Sequence, residues 1–166
     1  LTRIRMYVKD AEARRRAAMI EERLWLHLAS HWDAGRGQFA GPMSRCYSTD
    51  LGHPLWLEKA LSGRLGLARP SDVTQGGDAE TAIHDLRCPA SVAPRFLQIG
   101  KPRQHREMYQ PGREGMPPVA GTCWIDSAFS LGSVNRGDFW NQRRPILAFF
   151  GDRSRPASSL TVRVIK

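Results

Sequence analysis

Residues 9–32 carry Ala17, Ile20, Leu24, Leu28 and Trp32 at helical spacing, whereas beyond Pro89 that spacing vanishes and prolines recur at positions 94, 102, 111, 117 and 118. A chain that switches in this way puts its helices first and its strands after them. That order predicts a segregated α+β layout and argues against the βαβ alternation of a parallel sheet. Trp25 and Ala18 widen the apolar stripe of the first helix, Asp10 or a neighbour starts it, and Gly35, Gly37, Gly41 and Pro42 end it. A second helix is expected over about 54–65, with Leu57, Leu61 and Leu65 on one face. A third is expected over 79–88, capped by Asp78 and stopped before Pro89. Strands are expected in RFLQIG (95–100), TCWIDSAFSLGSV (122–134), PILAFFG (145–151) and SLTVRVIK (159–166). The organisation expected is therefore a helical segment 1–68, a connecting segment 69–93 with a short helix, and an antiparallel β segment 94–166.

At 166 residues and 41% hydrophobic content the chain can bury a core of ordinary domain size. It opens on Leu1 and stops inside a strand-like run, so a slice of a longer protein is expected. No stretch approaches the roughly 20 apolar residues of a membrane span, and the N-terminus has no apolar signal region. The localisation stays open between a secreted or periplasmic parent and the cytoplasm. The net charge of +9 invites a polyanion, but 21 arginines against four lysines, dispersed apart from Arg14, Arg15 and Arg16, do not make a nucleic-acid patch. Scattered guanidinium groups suit the carboxylates of an acidic polysaccharide or oligosaccharide better, since each can grip a carboxylate through two parallel hydrogen bonds. Cys46, Cys88 and Cys123 are odd in number with no CxxC pair, and buried free thiols are the expected state.

The segment most suggestive of function is 121–151. Two apolar, strand-like runs there bracket a loop holding Asn135, Arg136, Asp138, Trp140, Asn141, Gln142, Arg143 and Arg144. Planar polar groups and an aromatic ring at this density suit a sugar-binding surface. A second candidate is the loop 41–54, which gathers Ser44, Arg45, Tyr47, Asp50 and His53 between two helices. A Tyr beside a cation can act as general acid or base and a nearby His can carry the opposite proton, whereas the plainer alternative is a hydrogen-bonded loop with Arg45 paired to Asp50. Other motifs point to less. GRGQFAG (35–41) follows a helix and has the wrong spacing for a phosphate loop. His27 and His31 are four apart on the first helix, and His84 and Cys88 repeat that spacing, but helical histidines are usually packing or surface groups. No metal ligand set and no cofactor are assigned on this basis.

GPMSRCYSTDL after a Trp-bearing helix, followed by SAFSLGSVNRGDFWNQRRPILAFFGD in a β region, resembles heparinase II/III-like carbohydrate-active proteins, built from an α/α toroid and an antiparallel β-sandwich. The resemblance implies the last helices of a toroid followed by the first sandwich strands, in a fragment of a bacterial polysaccharide lyase. It implies Tyr47 and His53 as acid/base groups, and Asn135, Arg136 and Gln142 around the uronate carboxylate. Arg45 and Trp140 join them as substrate-binding residues, with Trp140 stacking on a sugar ring. The remainder of the parent chain would be a partner. The alternative is a non-catalytic carbohydrate-binding or structural domain, whose loop would dock through Trp140 and Arg143.

Overall fold

The structure, a computed structural model, describes residues 1–47, 55–66, 83–138, 140–152 and 158–162. The chain divides into two compact units, one made of Leu1–Ser30 and Gly52–Leu97, the other of His31–Leu51 and Gln98–Lys166.

The first unit is helical, with α1 (Thr2–Tyr7), α2 (Ala11–His31, whose last residue belongs to the second unit), α3 (Leu55–Ala60) and α4 (Ala93–Phe96). Asp10 starts α2, its Oδ1 accepting the Ala13 N–H at 2.6 Å. Glu12 in the first turn pairs with Arg15 and Arg16 at 2.7 Å each, which holds its carboxyl below the usual range and ties up two of the three clustered arginines. The buried stripe of α2 is Ala17, Glu21, Trp25 and Ala29, while Ile20 and Leu24 are exposed, a correction to the expected face. Glu21 explains the rotation. It is drawn inward to accept the Thr2 hydroxyl at 2.8 Å and the Arg5 Nε at 2.7 Å, pinning α1, and the same turn of the helix packs Trp25 against Trp56 and Phe96.

α3 stops earlier than expected, because Ser62, Gly63 and Gly66 take positive φ and Glu58 Oε1 accepts the Leu65 and Gly66 N–H groups. Of the helix expected over 79–88, residues 79–82 lie outside the described residues, and residues 84–88 are not helical; the Cys88 N–H bonds instead to the Ala60 carbonyl. RFLQIG is not a strand. Val92, Ala93 and Phe96 are buried at helical spacing, with Pro94 near the first position of α4. No α/α toroid is evident among the described residues, and no helix of theirs is long and apolar enough to cross a membrane.

The second unit is built on a five-stranded antiparallel sheet in chain order: β3 (Arg103–Gln110), β4 (Val119–Ile125), β5 (Phe129–Val134), β6 (Ile146–Phe150) and β7 (Ser158–Thr161). The antiparallel β segment is therefore present, although β3 occupies a polar stretch outside the expected strands. One face is buried, with Cys123, Gly132 and Leu147 in one cross-strand row and Ile125, Ser130 and Phe149 in the next. Burial pushes the Cys123 thiol up to about 12 and the half-buried Cys88 thiol up to about 11, so both are inert at neutral pH; all three cysteines are free, as the sequence suggested.

Residues 31–46 lie across this buried face. They include a two-residue ribbon, β1 (Trp32–Asp33) against β2 (Gln38–Phe39). Arg103 Nη2 donates to the Trp32 carbonyl, Ala40 packs with Cys123 and Ile125, and the Gly41 backbone rests on Gly132 and Leu147. The β4–β5 turn is closed by Asp126, which accepts the Ala128 and Phe129 N–H groups and the Trp124 indole N–H at 2.7–2.9 Å. These donors hold its carboxyl below the ordinary value. Because the folded value is the depressed one, this stabilisation is present above the unfolded carboxylate range and is lost as pH falls through the folded value. In urea titrations the midpoint difference between wild type and Asp126→Asn is expected to shrink below about pH 4. A difference independent of pH would show that the carboxylate charge contributes nothing.

Candidate functional site

The β5–β6 connection is closed at its base, where the Val134 N–H bonds to the Pro145 carbonyl at 3.0 Å. Asp138 orders the interior of the loop, accepting the Trp140 N–H at 3.1 Å and pairing with Arg143 at 2.5 Å. Arg144 turns inward and is buried, its Nη1 capping the carbonyls of Asn141 and Arg143. Along this loop runs the other candidate segment. Met43 and Arg144 exchange both backbone hydrogen bonds, at 3.0 and 2.9 Å, and the Cys46 N–H donates to the Gln142 carbonyl at 2.7 Å. The two loops singled out in the sequence thus meet as one backbone-paired junction. No side-chain pattern in the sequence announced that pairing.

The side chains of the junction divide into those committed to the scaffold and those facing solvent. Asn135 clamps the start of β4, with Oδ1 accepting the Ala120 N–H at 2.8 Å and Nδ2 donating to the Pro118 carbonyl at 3.1 Å. Gln142 is half-buried and contributes its carbonyl to Cys46. Trp140 is 48% exposed and Tyr47 76% exposed, Arg136 faces solvent, and the Arg45 guanidinium lies 5.1 Å from the centre of the Tyr47 ring. Asp50 and His53 lie outside the described residues. A cavity of about 150 Å³ elsewhere in the same unit, lined by Asp33, Lys101, Arg103, Asp126 and Asp152 among others, falls well below the roughly 300–1,000 Å³ typical of small-molecule sites.

A second cluster sits on the covered face of β3, where alternation puts Arg103, His105 and Glu107 on one side, and the Tyr109 ring, past the strand's irregularity and 43% exposed, lies over Gly121 on the same side. His105 Nε2 is 3.0 Å from Glu107 Oε2, and His31, at the end of α2, places Nε2 3.5 Å from Glu107 Oε1. The His31 and His105 rings meet edge to face at 5.3 Å. The Tyr109 hydroxyl also hydrogen-bonds Glu107, and its own ionisation is pushed up, first by burial and then by that carboxylate. Gly121, paired with Glu107, leaves the space the Tyr109 ring fills, since a β-carbon there would overlap the ring. β3 does not stand out in the sequence, because RQHREMYQ lacks the apolar alternation that marks a strand. His84 contacts Arg3 and Tyr7.

Comparison of the chain with protein-family models, with curated proteins and with solved structures finds no match.

Proposed function

We propose that the junction of residues 43–47 with residues 135–144 binds an acidic, uronate-bearing polysaccharide, and that the parent protein cleaves that glycan by β-elimination. The observation that carries the reading is the exposure of Trp140 beside the Arg45–Tyr47 segment. A half-exposed indole on a loop that also carries Arg136, and that pairs through its backbone with the segment carrying Arg45 and Tyr47, suits the C–H surface of a sugar ring and its carboxylate. With the Asn135 side chain engaged by the backbone of residues 118–120, Arg136 and Arg45 take over the carboxylate. Elimination removes the C5 proton, forms the C4–C5 double bond and expels the C4 oxygen, which takes up a proton. Tyr47 and His53 are the groups suited to that exchange, with the toroid implied by the resemblance left to the rest of the parent chain.

Two measurements test this. In affinity gels containing polygalacturonate, alginate or heparin, the chain is expected to be retarded by at least one polymer, and Trp140→Ala to weaken that binding about tenfold, roughly 1.4 kcal/mol. In the parent protein, Tyr47→Phe is expected to abolish the appearance of unsaturated uronate while leaving retardation intact. No retardation by any acidic polymer would end the binding reading. Binding without elimination by the parent would leave a non-catalytic carbohydrate-binding domain.

A further inference from the structure

The geometry points to a divalent transition-metal site of the zinc class, with His31, His105 and Glu107 as its protein ligands. One ligand atom from each of the three lies within 4.8 Å of the others. Two ligands held at about 2.0–2.1 Å from a tetrahedral zinc stand about 3.3 Å apart, and each imidazole nitrogen is near that spacing from one carboxylate oxygen of Glu107, His31 Nε2 at 3.5 Å from Oε1 and His105 Nε2 at 3.0 Å from Oε2. Two imidazoles and one carboxylate are a zinc-type donor set; magnesium and calcium would ask for more oxygen ligands.

The surroundings orient these donors as metal ligands are oriented. His31 Nδ1 lies 3.3 Å from the Ala40 carbonyl, a group that only accepts, so in the neutral imidazole Nδ1 carries the proton and Nε2, 3.5 Å from Glu107 Oε1, is the ligating nitrogen. Glu107 is steadied by the Tyr109 hydroxyl, which sits over the side-chain-free surface of Gly121. The ligands come from rigid places, the end of α2 and neighbouring inward positions of β3, and the Ala40 contact is fixed by the return bond from Ala40 N–H to the His31 carbonyl at 2.8 Å. The His105 and Glu107 side chains keep 33% and 22% exposure, which leaves a path for the ion. The site is separate from the proposed glycan junction and does not depend on it.

The test is titration of the chelator-treated chain with zinc, followed by calorimetry and by thermal unfolding, with cobalt substitution to report the ligands. Expected are binding of about one zinc per chain and a rise in unfolding temperature. Affinity should fall about 100-fold or more in His105→Ala and Glu107→Gln, and about tenfold in Tyr109→Phe. The cobalt form should show intense visible absorption without a thiolate charge-transfer band. Glu107→Gln keeps the side-chain shape, so it decides the matter if His105→Ala does not fold. Absence of zinc binding by the folded chain would overturn the site, leaving an imidazole–carboxylate cluster bridged by protons. So would unchanged affinity in Glu107→Gln, or a thiolate band assigning the metal to the cysteines.

Discussion

Replacing Gly132 by Ala is expected to destabilise the chain by about 3 kcal/mol or more, the largest effect of any single methyl addition here. Gly132 sits in the middle of β5, hydrogen-bonded on both sides, with Cys123 and Leu147 as its cross-strand neighbours. A β-carbon at this position would overlap the carbonyl of Gly41 and the nitrogen of Pro42. These are backbone atoms with no rotamer to change, so either the sheet or the overlying strand of chain must move. Gly41 meets the same constraint from above, where its own β-carbon would fall 2.8 Å from Leu147 Cβ. Backbone is thus laid on backbone, and only paired glycines allow it. Gly137→Ala is the control, since its β-carbon would make ordinary contacts of 3.6 and 3.7 Å with Val134 and Pro145. Urea midpoints for the two variants should differ widely. Equal midpoints would mean that the residue 40–43 segment is not seated on the sheet.

Asp33→Ala is expected to cost about 3–5 kcal/mol, the range found when one partner of a buried ion pair is removed. Asp33 and Arg36 each expose about 1% of their side chains and are 2.7 Å apart. Asp33 also shapes the ribbon turn, with Oδ1 accepting the Gly35 and Arg36 N–H groups, while Gly37 takes the left-handed φ of 66° that completes it. Arg36 reaches across to the Asp126 carbonyl at 3.1 Å, joining the ribbon to the β4–β5 turn. Removing the carboxylate strands a guanidinium in a dry site and loosens the turn at once. The double variant Asp33→Ala with Arg36→Met removes the stranded charge and should recover part of the loss. An Asp33→Ala midpoint within 1 kcal/mol of wild type would show that water or another anion compensates Arg36.

The legible parts of this chain are those where one physical rule dominates. α2 was readable because its period and the Asp10 cap agree, and β4 to β6 because aromatic and β-branched residues crowd into short runs. The buried face of α2 departs from its apolar stripe because Glu21, polar by composition, is turned inward by Thr2 and Arg5. β3 was missed for a related reason: Arg103, His105 and Glu107 face the covered side of the sheet but are satisfied there by the Trp32 carbonyl, by His31 and by one another. RFLQIG carries apolar residues that suit a strand, yet Pro94 fits the start of a helix and Phe96 finds its pocket there. Of the candidate junction, the two loops stand out in the sequence but their pairing does not. The bonds joining Met43 to Arg144 and Cys46 to Gln142 are backbone bonds, indifferent to side-chain identity.

That indifference has an evolutionary reading. The loop between β5 and β6 is tied off below by Val134 and Pro145 and at its flank by Met43 and Arg144, all through main-chain atoms. The solvent-facing Arg136 and Trp140 can therefore be exchanged without disturbing strand register, much as interchangeable tips are fitted to one handle, while Asn135 and Asp138 hold the loop through their side chains. Selection could work on Arg136 and Trp140 while the sheet beneath them stays constant.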